Sequence, residues 1–225
     1  MTKTFKRLTI AMWAMCLLVT VSAVLAYVRS RSVLASAQET APPAAMTPGE
    51  TFIRPAVAPD LSDRLFPIPP FELRDENERT VTDVTLRGKP WIAAFIFTNC
   101  AGTCPMMSKH MATLQRKIAN PDVRLVSFTL DPARDTPAVL KTYAQKIGAA
   151  EGRWFFLGGT HQQMQDLAHG MKISVADPAP GSDQILHSSK FLLIDRTNTA
   201  RGIYDGTSEE TLDKLAADAE KLARE

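Results

Sequence analysis

Three cysteines in 225 residues are too few for a disulfide-built scaffold. One of them, Cys16, lies in an N-terminal apolar run, so the rest of the chain has only Cys100 and Cys104. A concentrated basic surface is also missing. Formal net charge is +2, and five of the cations (Lys3, Lys6, Arg7, Arg29 and Arg31) fall in residues 1–31, which hold no acid. The remainder is therefore mildly acidic at −3, which argues against a nucleic-acid partner. No internal repeat is present. The last ~150 residues are patterned as one domain, long enough to bury a core without covalent staples.

The long hydrophobic run stands near the N-terminus. Leu8–Val28 is uncharged over 21 residues, enough as a helix to cross ~30 Å of hydrocarbon. Lys3, Lys6 and Arg7 precede it and favour a cytoplasmic N-terminus, with the body outside in an oxidising space. A cleaved signal peptide is the competing reading, with Ala35-Ser36-Ala37 as its small-residue site. Cys16 lacks the small residues that would precede a lipoprotein cysteine and reads as an apolar residue of the membrane helix. The expected layout is a basic N-terminus (1–7), a transmembrane anchor (8–28), an Ala/Pro/Thr/Ser-rich linker (29–66) and a folded domain (67–225).

Within the domain, Phe71–Arg74 and Thr80–Thr82 flank a polar turn and predict a hairpin extension. Trp91–Phe97 is a continuous apolar run that reads as a fully buried strand. Then come Thr98-Asn99, the spacing Cys100-x-x-x-Cys104, and Pro105 at the start of a helix to about Ile118. Met107, Met111, Leu114 and Ile118 recur at helical spacing and mark its core face. Further strands are expected at Val123–Leu130, Trp154–Leu157, Phe191–Ile194 and Arg201–Tyr204. Helices are expected at Val139–Ile147 behind an Asp135-Thr136-Pro137 start, at His161–Met171, and at Glu209–Ala223 capped by Thr207 or Ser208. Ala176–Gln184 reads as a loop. The order β-α-β-α-β-α-β-β-α, with cysteines after the first core strand, is an α/β thioredoxin-like fold: a central mixed sheet flanked by helices.

A strand that delivers two thiols to a helix start suits a redox pair, a metal pair or a local disulfide. A helix N-terminus is expected to stabilise the Cys104 thiolate. Two thiolates make a linear soft site, and one more ligand would make it trigonal and suited to copper. Of four histidines, His110 reads as exposed, and His161 and His169 as parts of helix ends. His187 lies in the loop before a core strand, on a crossover expected beside the cysteines, as a ligand or as a loop histidine with a structural hydrogen bond. Asp131 is open between tuning a thiol and a plain Asp-Pro turn, Arg134 and Asp135 read as turn and cap, Met107 as core, and Met106 as core or a transient soft donor.

Phe97-Thr-Asn-Cys-Ala-Gly-Thr-Cys-Pro105, Ser127-Phe-Thr-Leu-Asp-Pro-Ala-Arg-Asp-Thr-Pro137 and His187-Ser-Ser-Lys-Phe-Leu-Leu-Ile-Asp195 together resemble the Sco/SenC family over about residues 65–225. The resemblance implies Cys100, Cys104 and His187 as ligands of one copper ion, Cu(I) or Cu(II). It implies maturation of the CuA site of cytochrome c oxidase, by copper delivery or by reduction of the client's cysteines. Partners would be the CuA-bearing subunit or another copper protein, and an upstream copper donor or thiol reductant. The setting would be the inner membrane, single-pass, with the domain in the periplasm. The one departure is Ala101-Gly102, where the family commonly has proline directly after the first cysteine, and it makes the loop more flexible. A metal-free thiol–disulfide oxidoreductase is the other class of function. The stretch before Phe191 lacks the proline that thioredoxin-type reductases place beside their cysteines, and neither cysteine sits in a peroxiredoxin-like Pro-x-x-x-Thr-x-x-Cys.

Overall fold

The structure, a computed structural model, describes Leu61, residues 63–178 and residues 184–225. The chain divides into two units, Met1–Ala56 and Val57–Glu225, and the described residues belong to the second. The expected membrane helix at 8–28, most of the linker, and Cys16 lie outside them. Among the described residues no helix is long and apolar enough to cross a membrane.

The domain starts earlier than expected. Phe66–Pro67 forms a two-residue strand, β1, and Leu61 and Ile68 are buried. The linker boundary at 66 therefore cuts through a paired strand, whose two residues are too few to show a period. The hairpin β2 (Glu72–Arg74) and β3 (Thr80–Thr82) forms as expected, as a small sheet of its own. A one-turn helix, α1 (Asp83–Leu86), follows, closed by a Thr82–Thr85 capping box.

The main sheet runs β1-β10-β9-β4-β5-β6, where β4 is Trp91–Ile96, β5 Arg124–Thr129, β6 Trp154–Leu157, β9 Lys190–Ile194 and β10 Thr199–Asp205. β4, β5 and β6 are parallel, and β9 is antiparallel to both β4 and β10. Between them lie α2 (Cys104–Lys117), α3 (Pro137–Lys146) and α4 (His161–Gly170), and α5 (Glu210–Arg224) closes the chain. β4 is buried at all six positions because it is paired on both edges and covered on both faces. Phe128 stacks on Phe95 at 5.1 Å and meets Phe71 and Trp91 edge-on. Each such ring buries ~150–250 Å², a gross gain of roughly 4–6 kcal/mol before ordering entropy is charged.

The β9–β10 turn clasps β4 from the far end. Asn198 adopts φ 60°, a conformation asparagine tolerates, and accepts a 3.1 Å hydrogen bond from Trp91 Nε1. Its amide donates to the Asp83 carbonyl at 2.7 Å. The last helix differs in its cap: Glu209 is the N-cap and makes no side-chain cap bond, while Thr207 turns back to Asp205. Of the described residues in the stretch expected as a loop, Ala176–Gln184, only Ala176 is in a strand: β7 (Val175–Ala176) pairs with β8 (Leu186–His187), which follows the stretch.

Candidate metal and thiol site

β4 carries the chain, still buried at Phe97, to the sheet end, where Thr98 and Asn99 turn it outward. Thr103 is the N-cap of α2 without a side-chain cap bond, and Cys104 is already the first helical residue, with Pro105 in the first turn. Proline costs nothing there, because first-turn N–H groups have no helical acceptor. Cys104 faces inward and is 0% exposed. Cys100, in the loop, is half-buried, its sulfur 3.4 Å from the Gly102 N–H. Both are free thiols.

Burial pushes the Cys104 thiol up to about 12, and the adjacent Cys100 thiol adds to the rise. This reverses the expected thiolate at the helix start. Backbone N–H groups do favour the anion, but loss of water costs the charge more than they return.

His187, at the end of β8, comes from 83 residues downstream to place Nε2 3.4 Å from Cys104 Sγ. Its ring packs edge-on to Phe97 at 6.1 Å. Nδ1 lies 3.3 Å from the Ser188 carbonyl, which can only accept, so Nδ1 carries the proton. Burial lowers the His187 pKa and keeps the imidazole neutral. The Nε2 lone pair therefore faces the sulfur, the tautomer that a metal-ligating histidine needs.

Two further contacts join the His187 segment to the cysteine loop. The Ala101 N–H donates to Gln184 Oε1 at 3.3 Å, and the Thr103 and Ser189 hydroxyls lie 3.1 Å apart. The expected crossover beside the cysteines thus forms. The three candidate donors meet in pairs, Cys104 with His187 and Cys104 with Cys100. Among the described residues no group of three His, Cys, Asp or Glu side chains is drawn tightly enough to hold an ion. The donor types suit a soft metal, and enclosing one would take an inward move of Cys100, the least constrained of the three.

The other candidates separate cleanly. His110 is 3% exposed rather than surface-lying, and its Nδ1 donates to the Gly206 carbonyl at 2.8 Å, tying α2 to the start of the last helix. The acceptor is 96 residues away, beyond what a helical pattern can reveal. His161 opens α4 and lies 3.3 Å from Asp177, and His169 is in the last turn of that helix. Asp131 accepts from Arg134 Nε at 2.5 Å within the turn after β5. Met107 is core, and Met106 is 39% exposed. Thr136 is the N-cap of α3, with Pro137 next as expected. Asp135 is not a cap; it is 2% exposed and reaches across to Thr98 and Thr129.

A mixed sheet of this strand order, with a thiol pair between its first core strand and the following helix, defines a thioredoxin-like protein. The SCO1/SenC family model matches residues 61–224, and the chain belongs to that family. It is 32% identical over 161 residues to the SCO1 protein homolog of Bacillus subtilis, spanning 70% of this chain and 83% of that one. Among solved structures it is similar to BsSco, described with a disulfide switch as a member of the Sco family of cytochrome c oxidase assembly proteins. That match has 32% identity and a TM-score of 0.65 over 72% of this chain and 96% of the other. Yeast Sco1 with copper bound is 26% identical, with a TM-score of 0.56 over 68% and 88%.

Proposed function

We propose that this chain binds one copper ion through Cys100 Sγ, Cys104 Sγ and His187 Nε2, and serves the CuA site of cytochrome c oxidase by delivering copper or by reducing the client's cysteines. The observation that carries the reading is the 3.4 Å approach of His187 Nε2 to Cys104 Sγ, with the imidazole tautomer fixed by Ser188. A merely structural histidine has no need of its lone pair aimed at a buried sulfur. The copper bound in a yeast relative and the assembly role described for BsSco support the same assignment. Residues 8–28 would anchor the domain to the inner membrane from the periplasmic side, as the basic flank and apolar run suggest.

Two thiolates and an imidazole would hold copper in a site able to accommodate both of its oxidation states. The chain's own contribution is to keep Cys104 dry and immobile, to present His187 neutral, and to leave Cys100 free to close on or release the cargo. The thiols must be reduced before loading, because a disulfide removes both sulfur ligands.

Anaerobic titration of the reduced protein with Cu(II), followed in the visible, is expected to give thiolate-to-copper absorption saturating at one equivalent. His187→Ala is expected to weaken Cu(II) binding by about 100-fold or more, since even second-shell losses at metal sites cost ~10–100-fold. Absence of the absorption in the wild type would sink the copper reading. The adjacency of two free thiols also supports a second reading, a metal-free thiol–disulfide oxidoreductase in the periplasm. That reading gains if no copper binds and the pair's reduction potential matches a client disulfide.

A further inference from the structure

Asp135 is a carboxylate only 2% exposed that performs no capping. Its Oδ2 accepts from the Thr98 backbone N–H at 3.0 Å and from the Thr129 hydroxyl at 2.5 Å, and its Oδ1 accepts from the Thr98 hydroxyl. Its own N–H donates to the Asp131 carbonyl at 2.8 Å, so its backbone is fixed by the turn after β5. One carboxylate thus grips Thr98 twice and Thr129 once, joining the ends of two parallel strands where both leave the sheet.

Thr98 stands two residues before Cys100. Downstream of it the loop contains Ala101 and Gly102, with little side chain to pack. Its ties to Gln184 and Ser189 are exposed. Exposed neutral hydrogen bonds contribute little net free energy, whereas charge-assisted bonds to a buried carboxylate are about twice as strong. The fixed point from which the Cys100 loop springs is therefore Thr98, and Asp135 is what fixes it.

The geometry points to Asp135 as the positioning residue of the thiol pair: by holding Thr98 it sets where Cys100 stands relative to Cys104. The inference rests on Cys100 and Cys104 being the working pair, as proposed above, and is independent of whether they take copper. It concerns the proximity of two sulfurs, so disulfide formation reads it directly. With glutathione disulfide as oxidant, its S–S bond breaks and a protein S–S bond forms. Two electrons and two protons pass from the protein thiols to two glutathione thiols.

The test equilibrates the metal-free full chain in glutathione buffers, traps with acid, and counts by peptide mass spectrometry the Cys100–Cys104 pair oxidised and reduced, so that Cys16 does not enter. Asp135→Asn keeps the shape but puts a donor where an acceptor is needed. It is expected to lower the dithiol–disulfide equilibrium constant by about tenfold or more, a shift of ~30 mV in the couple. Thr98→Val removes only the hydroxyl grip and is expected to shift the constant the same way by less. Tyr204→Phe, which loses a 2.6 Å bond to Asp218 on the last helix, is destabilised without touching the loop and should leave the constant within about twofold, as distant sites without shared partners do. If Asp135→Asn and Thr98→Val move the constant no further than Tyr204→Phe does, the role is overturned. Should Asp135→Asn fail to fold, Thr98→Val decides alone: a shift supports the role and no shift removes it. A wild type without copper absorption would defeat the proposed function while leaving this readout intact. An unmoved constant would defeat this inference while leaving copper absorption intact.

Discussion

Cys100 and Cys104 are four residues apart and belong to different physical worlds. Cys104 is the first residue of a fourteen-residue helix, with no exposed surface, against Met107 and a neutral histidine. Cys100 stands half-buried on a short loop of small residues whose sulfur touches its own backbone. One sulfur is held by the core and the other by a loop tied at its base. The difference shows how two neighbouring sulfurs can be given unequal support: the helix and sheet hold one, and only the short loop between them holds the other.

The largest effect should come from eroding the rigid half. Met107 is fully buried beside Cys104, and Met107→Ala is expected to cost about 2–5 kcal/mol of stability in chemical denaturation. Its neighbour Met106, 39% exposed, should lose less than about 0.5 kcal/mol on the same change. Equal costs for the two would break the picture of a helix with one face in the core. Next is thiol reactivity. Cys100 is expected to be alkylated at least about tenfold faster than Cys104 in the reduced native protein, with the difference vanishing in denaturant. Mass spectrometry of the two peptides checks it, and comparable native rates would mean that Cys104 is not sealed.

The smallest effect is acid sensitivity, which acts on the β9–β10 arm and not on either cysteine. Asp195 is held below the usual carboxylate range: burial opposes this, and hydrogen bonds from Thr197, Thr199 and Arg201 overcome it. Asp205 is lowered to about 2, chiefly by its bond from Thr207. A carboxylate with a depressed folded pKa contributes stability above its unfolded value near 3.8 and loses it as pH falls through the folded one. Stability should therefore decline between about pH 4 and pH 2. Asp205 is largely solvated, so its share is modest. Asp195→Asn should lower stability at neutral pH and flatten part of that decline. An unaltered acid profile would remove Asp195 from the account.

The strong periodic and punctuated features were legible in the sequence. The run Trp91–Phe97, the Pro105 and Pro137 helix starts, and the burial of Met107, Met111 and Leu114 follow from local chemistry, and the structure has them. The placement of His187 beside the cysteines followed from topology. Other features are set by distant partners and were hidden. His110 is buried because Gly206 offers a carbonyl; Asp135 reaches Thr98 across the sheet end; and β1, β7 and β8 are two-residue strands that exist only as pairs. The raised Cys104 thiol is not legible in the sequence, because a helix start shows there and the depth at which it is buried does not.

The sheet order carries a consequence in time. β4 pairs with β5 and β5 with β6, so these can form from consecutive sequence, whereas β9 must dock later on the other edge of β4. His187 lies 83 residues beyond Cys104. At ~5–20 residues per second, a chain emerging N-terminus first carries its two thiols for roughly 4–17 s before the imidazole exists. For that interval the pair is a dithiol without its third neighbour and cannot complete the proposed copper site. The capacity proposed for the mature domain is thus completed late, when His187 joins the two cysteines.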